Sequence, residues 1–349
     1  MGVAPDARER VPLEAHVKTR VRIIVAAAAT AALAATAPSG VALARSSDDD
    51  HRHDRGRSAT KVFTLDPSTH GNPEGVAWDD RSDTFFVGTV GDGTIYRGKL
   101  KRSTATPVPV RAGTTAQPVT AATGMKVSRG KLYVAGAATG RVAVYKITRT
   151  ELVPVASFET GPGGFLNDLV VTRKGDVFVT DSFRPTIWHI TGAQVKAGTG
   201  TPAAINVAPE IPVETGPNQF NLNGIVAFRG GKVLVVVDSN GGGLFRVVLD
   251  AAAPGGRRIT QINAPALVGG DGMIVDRGRL IVVRGGTSPS LTFVKLSGDR
   301  TRGRIDKVRT DATLKGSSTV ARADKRYLVV NADFNTNTQP FTVSGLARR

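Results

Sequence analysis

The sequence predicts an all-β protein, namely a six-bladed β-propeller of four-stranded antiparallel blades, closed by an N-terminal strand that completes the last blade. Two observations predict this fold: a repeat that occurs six times, and short apolar strands separated by Gly-rich turns within each copy. Four short strands in a unit of about 40–50 residues are typical of propeller blades. Helical repeats of similar length would show a 3.6-residue apolar period, which these segments lack.

Each copy of the repeat opens with a small or polar residue followed by an apolar strand. In chain order the openings are EGVAWD at Glu74, TGMKVS at Thr123, NDLVVT at Asn167, NGIVAF at Asn223, DGMIVD at Asp271 and SSTVAR at Ser317. The last copy ends after its third strand near Leu346, whereas KVFTLD at 61–66 precedes the first copy without partners of its own. We therefore expect residues 61–66 to pair with the last copy, which removes two exposed sheet edges.

The N-terminal 60 residues are expected to lie outside the propeller. Three positive charges within residues 17–22 precede a largely apolar run of fifteen residues, 23–37, and the segment 42–44 (Ala-Leu-Ala) fits a signal-peptide cleavage site. A membrane anchor needs about twenty uninterrupted apolar residues, and Pro-Ser-Gly at 38–40 ends this run. We predict a secreted or periplasmic protein with a signal peptide over 1–44, a polar linker over 45–60 and the propeller over 61–349.

The amino-acid composition limits the classes of function that the protein can have. The chain has 46 Lys and Arg against 29 Asp and Glu, a formal net charge of +17, but the basic residues are scattered among turns. This pattern favours a solvated basic surface over a nucleic-acid site, with contact to a polyanion or the cell envelope as the alternative. The absence of Cys excludes disulfides and thiolate sites. We expect a monomer that takes a small-molecule substrate and does not insert into the membrane after signal cleavage.

The residues that open the repeats form the candidate site. The first strand of each blade lines the channel of a propeller, so these residues should lie at equivalent places around its axis. All of them carry side-chain oxygens, including the carboxylates of Glu74 and Asp271 and the amides of Asn167 and Asn223. Such oxygens suit hard cations such as Ca²⁺, Mg²⁺ or Mn²⁺. None of these positions holds His or Cys, which disfavours a tight zinc cage. Turn formation is the alternative for Asn, Asp, Ser and Thr, but not for Glu74.

Four segments, NPEGVAWD, FLNDLVVTRKGDVFVTDSF, LNGIVAF and GDGMIVD, resemble in order and spacing the SMP-30/gluconolactonase/LRE family of six-bladed propellers, over roughly residues 61–346. The resemblance implies that Glu74, Asn223 and Asp271 hold one divalent cation, Ca²⁺ before Mg²⁺, Mn²⁺ or Zn²⁺. It implies that Asp271 doubles as the catalytic proton shuttle and that Asn167 contacts substrate or a metal-bound water. We place two further residues, Phe165 and Thr123, in the substrate site.

Members of that family are typically lactonases, so the resemblance implies an exported metal-dependent hydrolase of a lactone or related ester. Its sugar-lactone members often carry Arg two residues before the third-blade Asn, where this chain has Phe165. That departure favours a less polar substrate. The alternative is a non-catalytic secreted propeller that binds an envelope glycan, peptide or protein through its channel face, because fold alone does not determine activity.

Overall fold

The computed structural model describes residues 59–216 and 219–348. The predicted signal peptide and almost all of the predicted linker lie outside these residues. Within them, regular structure is almost entirely β, which confirms the predicted all-β class. None of the helices in this part of the chain has the length and apolar character needed to cross a membrane.

The strands of the described residues are numbered in chain order. The first twelve are β1 (Lys61–Leu65), β2 (Pro73–Asp79), β3 (Thr84–Thr89), β4 (Ile95–Lys99), β5 (Thr104–Pro107), β6 (Met125–Ser128), β7 (Lys131–Ala135), β8 (Arg141–Ile147), β9 (Leu152–Glu159), β10 (Leu166–Val171), β11 (Val177–Asp181) and β12 (Thr186–Ile190). After a short helix, α1 (Gly192–Ala197), follow β13 (Ala203–Asn206), β14 (Leu222–Phe228), β15 (Val233–Asp238), β16 (Leu244–Leu249), β17 (Arg257–Gln261), β18 (Gly270–Asp276), β19 (Arg279–Arg284), β20 (Ser290–Leu296), β21 (Gly303–Arg309), β22 (Ser317–Ala323), β23 (Arg326–Asn331) and β24 (Thr342–Ala347). Two 3₁₀ turns cover Arg229–Gly231 and Pro254–Gly256.

The strands form antiparallel units of four. Strands β6–β9, β10–β13, β14–β17 and β18–β21 make four separate four-stranded sheets, and the rest form one eight-stranded sheet in the order β2-β3-β4-β5-β1-β24-β23-β22. Within the eight-stranded sheet, β1 pairs antiparallel with β24 and parallel with β5. The N-terminal strand therefore lies between the first repeat and the last one.

The first strands of successive units contact one another in a ring, β2 with β6, β6 with β10, β10 with β14, β14 with β18, β18 with β22, and β22 with β2. The core lies between adjacent sheets, where for example Phe86 of β3 packs in one buried cluster with Leu132 of β7. Phe178 of β11 and Leu234 of β15 share another. Full burial of one such side chain stabilises the fold by about 1.5–3 kcal/mol. Sheets packed face to face around a ring of first strands give a propeller-like architecture.

Glycines in the first strands allow these strands to approach each other closely. A Cβ added to Gly75 would lie 1.9 Å from the carbonyl oxygen of Thr123, and one added to Gly224 would lie 2.3 Å from that of Asp271. Both distances are far inside van der Waals contact, and both obstacles are backbone atoms that cannot move aside cheaply. Packing between neighbouring strands thus requires glycine after the opening residue at these two positions.

A β-bulge at the start of five first strands defines which residues are equivalent. The register skips from Pro73 to Val76 in β2 and from Ser317 to Val320 in β22, with the same shift in β10, β14 and β18. The residue equivalent to Glu74 is therefore Ser318, and the sequence alignment on Ser317 was wrong by one position. Thr319 stands where four of the other five repeats have glycine, so the sequence pattern offered no unique register.

We expect Gly75→Ala to lower the free energy of unfolding by roughly 1–3 kcal/mol, the usual cost of overpacking. Gly298→Ala is the matched control, because no heavy atom lies within 4 Å of its added Cβ, and its stability should stay close to that of the unmodified protein. Urea unfolding followed by circular dichroism measures both. Equal stability of the two variants would contradict the close approach of β2 to Thr123.

Candidate functional site

Four ionisable side chains from four different first strands share the space at the channel. Glu74 lies on β2, Lys126 on β6, Asp168 on β10 and Asp271 on β18. The pKa of Glu74 is raised well above its usual value, first by burial and then by the negative charges of Asp271 and Asp168, while the positive charge of Lys126 opposes the shift. Charges from three other blades act on one carboxyl group, so the Glu74 side chain extends into the region between the first strands.

Asp271 is the least buried of the three acidic residues of the site, since the residue is partly exposed whereas Glu74 and Asp168 are buried. Desolvation, followed by the charge of Asp168, raises the pKa of Asp271 to about 8, while hydrogen bonds from the Gly272 backbone and the Asn223 side chain lower it. The side chains of Asn223 and Asp271, which are 48 positions apart in the sequence, are therefore neighbours. A carboxyl group with this raised pKa can exchange a proton near neutral pH.

Buried oxygens without a hydrogen-bond partner mark the same region. They are Glu74 Oε2, Asn167 Oδ1, Asp168 Oδ2, Asn223 Oδ1 and Asp271 Oδ1. Leaving one buried acceptor unpaired costs about 1–3 kcal/mol, and more when it is charged. All of these atoms are carboxylate or amide oxygens that act as acceptors. An all-oxygen set of this kind fits a hard divalent cation.

Two serines orient the amide groups of the site. Asn167 Nδ2 donates to Ser182 Oγ at 2.9 Å, and that hydroxyl donates to the carbonyl oxygen of Leu222 on the next first strand at 2.7 Å. In the next blade, Asn223 Nδ2 donates to Ser239 Oγ at 3.1 Å. The Ser239 hydroxyl in turn donates to the carbonyl oxygen of Gly270. Because each serine proton is committed to a carbonyl, each amide must present its nitrogen to the serine and keep its oxygen free.

Lys126 and Asp168 form an ion pair beside these oxygens, with Lys126 Nζ 2.9 Å from Asp168 Oδ1 and the Asp168 side chain fully buried. Asp168 occupies the position where most other repeats have glycine. Sequence reasoning missed Lys126, although it offered one signal. The equivalent positions in the other five repeats are apolar: Ala77, Val170, Val226, Ile274 and Ala321.

The remaining predicted site residues lie in two different environments. The Thr123 hydroxyl is buried and donates to the carbonyl oxygen of Leu166 at 2.7 Å, so it joins neighbouring strands and offers no free donor to a ligand. Phe165 is almost fully buried, and its ring contacts Phe183 and Phe220. The structure therefore brings Glu74, Asn167, Asn223 and Asp271 to the ring of first strands, whereas Phe165 lies just before β10.

Acidic side chains alone do not form a metal site in residues 59–216 and 219–348, because no group of three or more His, Cys, Asp or Glu is placed to hold an ion. A cation site at the channel would therefore depend on amide oxygens. The set of Glu74, Asn223 and Asp271 includes one such oxygen, and the acid that remains, Asp168, is paired with Lys126.

Comparison with known proteins identifies the fold. No family model matches the chain, and no curated protein matches it. A calcium-binding regucalcin from Agrobacterium tumefaciens aligns with a TM-score of 0.56 at 17% identity, over 84% of this chain and 96% of its own. A luciferin-regenerating enzyme aligns with a TM-score of 0.55 at 13% identity, over 82% and 94%. A periplasmic gluconolactonase from Pseudomonas aeruginosa aligns with a TM-score of 0.50 at 16% identity, over 79% and 85%. At these identities the likeness concerns architecture, and the chain has an SMP-30/gluconolactonase/LRE-like fold.

Proposed function

We propose that this protein is an exported, divalent-metal-dependent hydrolase that acts on a lactone or a related ester. The observation that carries the proposal is that Glu74, Asn223 and Asp271 each hold a buried oxygen without a hydrogen-bond partner. The charge of Asp271 acts on Glu74, and the Asn223 side chain bonds to Asp271, which supports their grouping in one site. Similarity to a gluconolactonase and a regucalcin supports the architecture. Similarity to a periplasmic protein agrees with export.

The proposal includes the complete propeller. The eight-stranded sheet is two blades that meet at β1, which gives six blades with the N-terminal strand completing the last. The ring of contacts among the first strands supports this count. The burial of Phe63 and Leu65 of β1 in one cluster with Phe85 and Val343 supports the closure.

Charge balance supports a divalent cation in particular. Glu74, Asp168 and Asp271 carry three negative charges when ionised and Lys126 carries one positive charge, so the formal charge of the group is −2. Burying a net charge of this size is expensive unless it is compensated. One divalent cation neutralises it, and Ca²⁺ is favoured because it accepts irregular all-oxygen sets completed by water.

Each residue of the site has its own role in the proposed hydrolysis. Glu74, Asn223 and Asp271 would hold the cation, which when bound supplies a Lewis acid for the substrate carbonyl. Asp271 takes the proton of the attacking water and returns it to the alkoxide that leaves when the ring C–O bond breaks, which yields a hydroxy acid. Asn167 accepts a hydrogen bond from water or substrate through its free Oδ1. Lys126, fixed by Asp168, adds a positive charge beside the developing oxyanion.

Deletion of residues 61–66 tests the proposed closure of the propeller by β1. We expect the shortened chain to lose cooperative unfolding, because β1 supplies pairing to both β5 and β24. A chain that begins at Ala59 is the control and should unfold cooperatively. A melting temperature unchanged by the deletion would contradict the closure.

The hydrolase is tested with purified protein and a panel of lactones and esters. We expect a chelator to abolish turnover and Ca²⁺ or Mn²⁺ to restore it. Asp271→Ala should reduce kcat/KM by about 10²–10⁴-fold, the usual contribution of a general acid or base, with cooperative unfolding retained. Asp80→Ala, which removes an exposed carboxylate in the turn after β2, is the control that should retain full activity.

Turnover that persists both in chelator and in Asp271→Ala would overturn the mechanism. Binding of Ca²⁺ without turnover of any member of the panel would reject the hydrolase and favour a non-catalytic propeller that binds a ligand through the same face.

A further inference from the structure

Three phenylalanine rings form one cluster close to the starts of β10 and β14 and the end of β11. The ring centroids of Phe165 and Phe183 are 5.2 Å apart, those of Phe165 and Phe220 are 5.1 Å apart, and those of Phe183 and Phe220 are 5.3 Å apart. The three residues come from separate segments, one before β10, one after β11 and one before β14. Mutual contact of three rings from three segments is a tertiary arrangement that no local sequence pattern produces.

The cluster is open on one side. Phe165 is 7% exposed and forms its base, whereas Phe183 is 43% exposed. Phe220 is intermediate between them. An exposed aromatic surface of this kind is costly to hydrate and gains free energy when an apolar group covers it.

Hydrogen bonds of a neighbouring residue, Ser182, link the segment that carries Phe183 to the oxygen-rich site. Ser182, which immediately precedes Phe183, accepts from Asn167 Nδ2 and donates to the carbonyl oxygen of Leu222. Phe165 is two residues before Asn167, and Phe220 is three residues before Asn223. The apolar cluster therefore lies within a few residues of the chain positions that carry the unpaired amide oxygens.

Buried polar residues hold the rings in place. The fully buried carboxylate of Asp181 accepts the backbone N–H groups of Phe165 at 2.9 Å and Phe183 at 3.2 Å. On the other segment, the buried side chain of Asn221 donates to the carbonyl oxygen of Ser182 at 2.9 Å and accepts the backbone N–H of Glu214 at 2.7 Å. Because polar groups within the protein fix the backbone on either side, the cluster is preorganised to receive a ligand.

The cationic residue that follows Phe183 in the sequence, Arg184, is not available to a polar substrate. Arg184 Nε donates to Asp181 Oδ2 at 2.6 Å, its Nη1 donates to the carbonyl oxygen of Thr160 at 3.0 Å, and its guanidinium lies 4.9 Å from the centre of the Trp188 ring. Arg184 thus supports the loop that carries Phe183. The oxygen-rich region, suited to a reactive head group, and the aromatic cluster, suited to an apolar group, therefore lie close to each other along the segments that carry them.

We infer that Phe165, Phe183 and Phe220 form an apolar subsite, and that the substrate is a lactone or ester with an extended alkyl or acyl chain rather than a polyhydroxylated sugar lactone. This inference rests on the proposed hydrolase, with the reactive carbonyl at the channel oxygens and the chain across the rings. Each methylene group of the chain that moves from water onto the rings should favour binding by a similar increment of free energy.

The turnover test uses γ-lactones with unbranched side chains of increasing length, together with a sugar-acid lactone. We expect kcat/KM to increase roughly two- to fourfold per methylene group until the rings are covered, and to exceed the value for the sugar-acid lactone. In Phe183→Ala and in Phe220→Ala, the loss of kcat/KM should grow with chain length. The increase of kcat/KM per methylene group should therefore be smaller than in the unmodified protein. Val308→Ala, which truncates a 51% exposed apolar side chain on β21, should keep the full dependence.

A binding test separates this inference from the hydrolase. The probes are the matching alkyl lactams, which resist hydrolysis, titrated by calorimetry into the intact protein and into Phe183→Ala. Affinity that rises with chain length in the intact protein, and rises less in Phe183→Ala, supports the apolar subsite even if no lactone is turned over. The subsite would be overturned if affinity and turnover are both independent of chain length, or if both depend on chain length equally in Phe183→Ala and Val308→Ala. Either result would overturn it even if lactones are hydrolysed.

Discussion

The close approach of neighbouring first strands is the constraint on which the site depends. At Gly75 and Gly224 the backbone of the next blade occupies the space that a side chain would need. Hydroxyl groups reinforce the contact, as when Thr180 donates to the carbonyl oxygen of Asn223 at 2.7 Å. With the first strands this close, residues nearly 200 positions apart in the sequence, such as Glu74 and Asp271, act on each other electrostatically. The geometry that closes the ring is therefore also the geometry that concentrates oxygen at its centre.

This concentration of acceptors costs stability, and the rest of the site limits the cost. Lys126 compensates one of three carboxylates, and the serine-bound amides of Asn167 and Asn223 keep their nitrogen atoms satisfied. What remains is a group of buried oxygens that the protein itself does not pair. Uncompensated polar groups of this kind are typical of sites where a ligand supplies the missing partner. Asp271 has this deficit and is the least buried of the three acidic residues, which makes it the residue best suited to exchange a proton.

The sequence predicted the parts of the fold and site that a repeat encodes. Strand periodicity and the residue that opens each repeat placed Glu74, Asn223 and Asp271 at equivalent points around an axis. The choice of these three as cation ligands followed from the family resemblance and stays a prediction. The sixth position was misassigned to Ser317, since two successive serines and a threonine in place of glycine leave the register ambiguous. The partners that shape the site, such as Lys126 and Phe220, arise from contacts between blades. Those contacts follow from tertiary packing and leave little trace in a local pattern.

The central claim is that Glu74, Asn223 and Asp271 coordinate one cation, and a crystal structure of the protein with Mn²⁺ tests it most directly. Anomalous scattering would locate the ion without reference to the surrounding side chains. The account predicts one Mn²⁺ within about 2.0–2.6 Å of an oxygen from each of these three residues. An ion held elsewhere, or oxygens of the three side chains more than about 6 Å apart and so beyond the reach of a shared ion, would contradict it.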